Sequence, residues 1–263
     1  LQYGYIPLED SVKEAYHKCE QVSRTLEYAY DDFALAQVAK RLGRKDDYKA
    51  LMRRAKNYRN VLSPATGYVQ GRKADGTFLS DANAFSFTRF ITEGAPCHYT
   101  WYVPHDVKGL MAAMGGREAF TEKLDSMFTC GRYWHGNEPC HQIAYLFDYA
   151  GRPDKTQQYV RHILETEYLD APGGLSGNDD AGQMSAWYIF SALGLYPVCP
   201  GTAEYALGYP VFPEATLHLE NGRSFTIRRS NSGTRLNGKR LKRPFITHDD
   251  ILRGGILEIE IKN

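Results

Sequence analysis

From Ser23 to Leu62, and again from Val103 to Leu193, apolar residues return at intervals of three and four, with short breaks containing Gly or Pro between the segments, whereas from Thr66 to Cys97 the periodicity fades into a long irregular segment whose aromatics argue for order. That pattern predicts helices laid down as sequential hairpins. Ser23 opens a long helix with Leu26, Tyr30, Phe33, Ala34, Val38 and Leu42. Gly43 closes it, and Lys40 and Arg41 in its last turn suit the helix dipole. Asp46 or Asp47 then caps a helix with the stripe Tyr48, Leu51, Ala55, Tyr58 and Leu62, ended by Ser63-Pro64. Further on, Val103-Pro104-His105-Asp106 leads into a helix through Met114, which Gly115-Gly116 stops, and Phe120, Leu124, Met127 and Phe128 mark the next. Asn137-Glu138-Pro139 starts another, with Ile143, Ala144, Leu146 and Phe147 inward and Gly151 at its end. Pro153 opens one with Tyr159, Val160, Ile163 and Leu164, and the last ends at Leu193-Gly194. Residues 9–20 read as a short helix ahead of these.

The character changes after Pro200. Residues 216–220 and 223–227 read as strands joined by Asn221-Gly222, a strong hairpin signal, and Asn237-Gly238 joins a second pair. The run Ile256-Leu257-Glu258-Ile259-Glu260-Ile261 alternates like a half-exposed strand. The expected fold is therefore mainly α: hairpins suited to an (α/α) toroid over residues 1–200, then a small antiparallel β unit over 201–263 packed on the helices.

A formal net charge of +1 and the lack of a basic stripe make nucleic acid and anionic membrane poor partners. No apolar run is long enough to span a bilayer. Five cysteines, at 19, 97, 130, 140 and 199, are too few and of the wrong parity for a disulfide scaffold. Cys130 and Cys140 could pair, but their spacing is no zinc pattern, and buried free thiols are the expectation. The chain opens Leu1-Gln2-Tyr3, without an initiator Met or a signal-peptide pattern, as a processed product or a fragment would.

Three glycine- and aromatic-bearing stretches hold carboxylates just ahead of helices, where they can reach one end of a helical barrel. The first runs over residues 90–106 and includes Glu93-Gly94, Trp101, His105 and Asp106. The second is Tyr133-Trp134-His135-Gly136-Asn137-Glu138-Pro139-Cys140-His141. The third runs over residues 173–188 and carries Asn178-Asp179-Asp180 into an apolar helix. Taken singly, each acid reads as a helix cap or a surface charge. Taken together, they suit glycoside hydrolysis, which needs one carboxyl group as proton donor and a second to activate water or attack. Glu93, near Phe90 and Trp101, suits the acid, and Asp180 suits the base. Glu138, Asn137 and Asn178 offer the hard oxygen ligands that calcium prefers. The histidines at 98, 105, 135 and 141 match no zinc spacing and read as satisfied polar partners. Of Trp101, Trp134 and Trp187, one or two could face a sugar.

Four blocks in order resemble glycoside hydrolase family 92, the exo-acting α-mannosidases. They are Thr25-Leu26-Glu27-Tyr28-Ala29-Tyr30-Asp31-Asp32; Thr92-Glu93-Gly94 with Tyr99-Thr100-Trp101-Tyr102-Val103-Pro104-His105-Asp106; Gly136-Asn137-Glu138-Pro139; and Gly177-Asn178-Asp179-Asp180 with Gly182-Gln183-Met184-Ser185-Ala186-Trp187-Tyr188. The resemblance implies an (α/α)6 barrel and calcium-dependent, inverting hydrolysis of terminal α-linked mannose. In such enzymes the calcium contacts two hydroxyls of the mannose and helps distort its ring. Glu93 then corresponds to the general acid and Asp180 to the general base. Glu138, Trp101, His105, Asp106 and Asn178 fall to the sugar, and Asn137, Glu138 and Asn178 to the metal. Asn178 stands where some members carry a second acid. Inversion expects the two carboxyl groups about 6.5–9.5 Å apart.

Family members are longer, with a β-sandwich and the first half of the barrel ahead of this region. The expectation is thus a fragment, or a chain whose exposed helix faces are covered by a missing N-terminal domain or by a second copy. Its partners are mannose-containing glycans, and the resemblance implies a periplasmic or extracellular location. The alternatives are a carbohydrate-binding or assembly fragment without turnover, and another toroidal carbohydrate enzyme such as a glucosidase or lyase.

Overall fold

The computed structural model describes residues 2–10, 19–80 and 83–261. Most of the helix expected over residues 9–20 lies outside them. The chain divides into two compact units, Leu1–Trp134 and His135–Asn263.

In the first unit, α1 (Gln21–Arg41) and α2 (Lys45–Arg54) form the expected hairpin. Ala36 and Ala39 pack on Leu51 while Asp32 meets Arg54 at 2.6 Å, so the helices run antiparallel. Two boundaries differ from expectation. Helix α1 begins two residues before Ser23, which therefore lies in the first turn rather than at the cap. Asp46 and Asp47 likewise sit inside the first turn of α2, where they meet the dipole without capping it. The helix expected to reach Leu62 stops at Arg54, and a 3-10 turn over Asn57–Asn60 buries Tyr58. An irregular segment follows, pinned by isolated bridges from Leu62 to Val69 and from Arg72 to Phe78. Next come α3 (Pro96–Tyr99), a 3-10 turn over Pro104–Asp106, α4 (Val107–Ala113) and α5 (Arg117–Thr129). Gly115 and Gly116, at φ 95° and 103°, break α4 from α5 with backbone that only glycine adopts readily.

In the second unit, the helix expected from Asn137 to Gly151 is broken. It consists of 3-10 turns at Glu138–Cys140 and Ile143–Tyr145, then α6 (Leu146–Tyr149). α7 (Pro153–Thr166) and α8 (Gln183–Leu193) follow, the latter closed by Gly194 at φ 85°. The strands are β1 (Leu195–Tyr196), β2 (Glu204–Leu207), β3 (Glu214–His218), β4 (Ser224–Ser230), β5 (Arg235–Leu236), β6 (Lys239–Arg240) and β7 (Phe245–Thr247). Short α9 (His248–Leu252) leads to β8 (Gly255–Glu260). They form an antiparallel sheet in the order β1-β2-β7 and a five-stranded sheet in the order β3-β4-β8-β5-β6. The five-stranded sheet is mixed rather than antiparallel, because β8 pairs parallel to β4. The long connection from β4 through the β5–β6 hairpin, β7 and α9 is what a parallel return requires. Alternation then works as expected: Leu257 and Ile259 join Phe225 and Ile227 in a buried cluster while Glu258 and Glu260 face outward. Gln157 of α7 donates its Nε2–H to Glu260 O at 2.7 Å, tying this sheet to the helices of its own unit.

None of the five cysteines forms a disulfide. Cys97, Cys140 and Cys199 are buried, Cys19 is half-buried and Cys130 is exposed. Among the described residues no helix is long and apolar enough to cross a membrane.

Candidate active site

Glu93 sits in a tight turn between a buried strip and α3. It is exposed, with φ 49°, a left-handed conformation that costs a residue with a side chain about 1–3 kcal/mol. The turn is tethered on both flanks. Upstream, the Phe90 carbonyl accepts the Val22 and Ser23 N–H groups at 3.0 and 3.3 Å, and the Thr92 N–H donates to Ser23 Oγ at 2.8 Å. Downstream, the Ala95 N–H donates to His98 Nδ1 at 3.2 Å, which leaves His98 Nε2–H to donate to Arg132 O at 3.0 Å. Both ring nitrogens of His98 are therefore used, and burial lowers its pKa, so it stays a neutral strut.

The other candidates of this stretch serve the scaffold. Trp101 has no exposed surface and meets Phe120 edge-on at 5.4 Å, so it offers no face to a sugar. His105 lies against Tyr30, Phe33 and Tyr58 and shares its Nε2 proton with Ala55 O at 2.8 Å. Asp106 caps α4 through Gly109 N–H at 3.0 Å and accepts the Tyr58 hydroxyl at 2.9 Å. Burial, first, and the Asp106 hydrogen bond hold that phenol at about 12. Trp134, half-buried, packs against His98 at 6.1 Å and against exposed Phe87 at 6.3 Å.

In the second unit the two remaining stretches meet. A Cβ on Gly177 would run into the carbonyl of Gly136, so only glycine permits this approach. It brings the backbone beside Asn178 against the backbone beside Asn137. Asn137 is buried, Glu138 half-buried and Asn178 exposed. Beneath them lies a polar-aromatic cluster. The Tyr168 hydroxyl donates to Met184 O at 3.0 Å and accepts from His135 Nε2–H at 2.7 Å. The His141 ring Nε2 lies 3.1 Å from both His135 O and Met184 Sδ, and Trp187 Nε1–H donates to His141 O at 2.9 Å. Burial pushes His135 down to about 2 and His141 to about 4, and the His141 ring, 4.8 Å away, adds to the depression of His135. The cluster locks residues 135–141 onto α8.

The adjacent aspartates divide the work. Asp179 Oδ1 accepts the Ser185 N–H at 3.0 Å and so caps α8 from outside it. Asp180 is exposed and is the first of three successive left-handed residues, with Ala181 and Gly182 at φ 41°, 56° and 89°. Among the described residues, no three His, Cys, Asp or Glu side chains converge as a metal cluster. The expected calcium set is of another kind, two Asn and one Glu. The close approach of Gly136 and Gly177 fits that hard oxygen donor set, as part of a shell that needs about 6–8 oxygens.

The family profile of the glycosyl hydrolase family 92 catalytic domain matches residues 1–263. The chain belongs to glycoside hydrolase family 92. Among solved structures of that family, it is similar to the GH92 alpha-mannosidase BT3965 from Bacteroides thetaiotaomicron, with 40% identity and a TM-score of 0.89 over 98% of this chain and 36% of that one. A complex of BT3965 with mannoimidazole gives 37% identity and a TM-score of 0.90, covering 99% and 37%. The GH92 inverting mannosidase BT2199 of the same organism gives 36% and 0.88, covering 98% and 38%. Among curated proteins, an uncharacterized secreted glycosidase of Arthroderma benhamiae is 28% identical over 98% of this chain and 38% of its own length. The chain thus spans little more than a third of the family 92 relatives it matches.

The sequence reading did not single out Ser23 for the site, whose hydroxyl accepts the Thr92 N–H beside Glu93, and it left open whether Asp179 or Asp180 caps α8. The Ser23 contact spans 69 residues, and nothing local announces it.

Proposed function

We propose that this chain carries the acid and base of an inverting exo-α-mannosidase. The reading rests on one observation: in a family 92 chain, the two motif carboxylates, Glu93 and Asp180, are both exposed on left-handed backbone while their neighbours do structural work. In the reaction, the Glu93 carboxyl gives its proton to the glycosidic oxygen as the C1–O bond breaks, and the electron pair leaves with that oxygen. A water oxygen bonds to C1 from the opposite face and its proton passes to the Asp180 carboxylate, which inverts the anomeric carbon. Of the three tryptophans, Trp134 keeps accessible surface beside the Glu93 turn and is the one suited to a sugar face.

Calcium is the expected cofactor, and Asn137, Glu138 and Asn178 would hold it. When bound, it would supply a fixed positive charge for sugar hydroxyls. The helices would form part of an (α/α)6 toroid, and the exposed Leu35 and Val38 of α1, with Leu42 at its C-cap, are a face that further barrel helices would cover. A periplasmic or extracellular site of action accords with the secreted relative.

The test is release of mannose from an α-linked mannobiose, with the anomer followed by proton NMR, first with calcium and then with chelator. Early β-mannose that chelation abolishes supports the reading, and early α-mannose refutes inversion. The fraction of its relatives' length that the chain spans favours a second reading, a piece that binds mannose without turnover. Calcium-dependent binding with no release would select it.

A further inference from the structure

We infer that Ser23 is a positioning residue for the proton donor: the first turn of α1 holds Glu93 in its left-handed turn through the Ser23 hydroxyl. The inference rests on the reading of Glu93 as general acid and assigns a role to a residue outside every motif block.

The geometry is specific. Ser23 is fully buried, an unusual place for a hydroxyl unless it has partners. Its Oγ accepts the N–H of Thr92, the residue directly before Glu93, at 2.8 Å. The Tyr99 phenol lies close to the side chains of Ser23 and Thr92, and burial pushes it far up and keeps it neutral. The N-terminal peptides of α1 grip the same turn again, since the N–H groups of Val22 and Ser23 both point at Phe90 O and that of Glu20 at Arg89 O, 2.8 Å away. Those amides are ones that a helix start leaves without partners of its own.

The physical consequence concerns direction rather than acidity. A side chain at φ 49° points elsewhere than one on extended backbone, so releasing Thr92 lets the turn relax and swings the carboxyl away from the leaving oxygen. Binding of the terminal sugar need not change. The cost falls on substrates whose leaving group must be protonated.

α-Mannosyl fluoride supplies the control, because fluoride departs from C1 with its electron pair and needs no proton from the enzyme. In the full natural polypeptide, Ser23→Ala is expected to lower kcat on α-linked mannobiose at least tenfold, with KM unchanged and fluoride hydrolysis within threefold of the parent. Glu93→Gln should show the same selectivity, more strongly, and Ser23→Thr, which keeps the acceptor oxygen, should recover most of the loss. Equal loss on both substrates, or no loss on either, overturns the positioning role. If Ser23→Ala does not fold, Ser23→Cys, which fills the same place with a weakly accepting sulfur, decides by the same comparison. Retained mannobiose activity in Glu93→Gln would instead show that Glu93 is not the acid, and the proposal falls with that assignment.

Discussion

Asp179 Oδ1 accepts the backbone N–H of Ser185 at 3.0 Å, six residues along and already inside α8. This bond separates two side chains that are chemically identical and adjacent. One is the helix cap, and the other is held just ahead of the helix start on left-handed backbone, exposed to solvent. Asp179→Ala should cost about 1 kcal/mol of stability, the usual loss on removing a cap, with Asp179→Asn milder. Asp180→Asn should leave the unfolding midpoint unchanged and remove mannose release. Chemical denaturation paired with turnover measures both, and the assignment fails if the two phenotypes are exchanged.

Gly177 has no room for a methyl group, because the Gly136 carbonyl occupies that place. Gly177→Ala should therefore push apart the backbones bearing Asn137 and Asn178. Its expected signature is loss of the thermal upshift that calcium is expected to give the parent protein, which ligand linkage sets at about 2.7 kcal/mol when calcium is at 100 times its Kd. A parent-like calcium shift in the variant would remove these residues from the metal site.

The buried histidines make the protein acid-sensitive in a defined window. Burial lowers His141 from 6.5 to about 4. The unfolded chain thus binds a proton across that interval and the folded chain does not. Its contribution is present above pH 6.5, declines as pH falls through that window and is gone below about 4. Between pH 7 and pH 5 the loss should be up to about 2 kcal/mol from this residue, and His141→Gln should flatten the slope. Urea unfolding at the two pH values gives the answer.

Trp101 and Trp134 should part in the same way as the aspartates. Trp101→Ala empties a buried site against Phe120 and should cost about 3–5 kcal/mol of stability. Trp134→Ala should leave folding nearly intact and raise KM for mannobiose. Comparison of unfolding midpoints with Michaelis constants separates them, and a Trp134→Ala enzyme with parental KM would rule out its contact with sugar.

Much of the local structure could be read from the chain. The hairpin of α1 and α2, the stops at Gly115-Gly116 and Gly194, the Asn221-Gly222 turn and the alternation in β8 follow from spacing, because each is settled by neighbours within a few residues. The carboxylates at 93 and 180 stood in motif blocks. What spacing misjudged were elements whose competitors lie far off in sequence. Residues 137–151 have helical periodicity but break into 3-10 turns around the His135–His141–Trp187 cluster, and β8 lies parallel to β4 because α9 returns it to the same end.

The sequence by itself determined the helical hairpins, the β tail and the family, since periodicity, turn residues and motif order are one-dimensional properties. Only the tertiary structure decided which of two adjacent aspartates caps a helix, which tryptophan is core and which keeps a free face, and that a serine near the start of α1 holds a turn 69 residues away. A buried hydroxyl or ring takes its role from the partner that reaches it in space, and the chain order does not encode that distance.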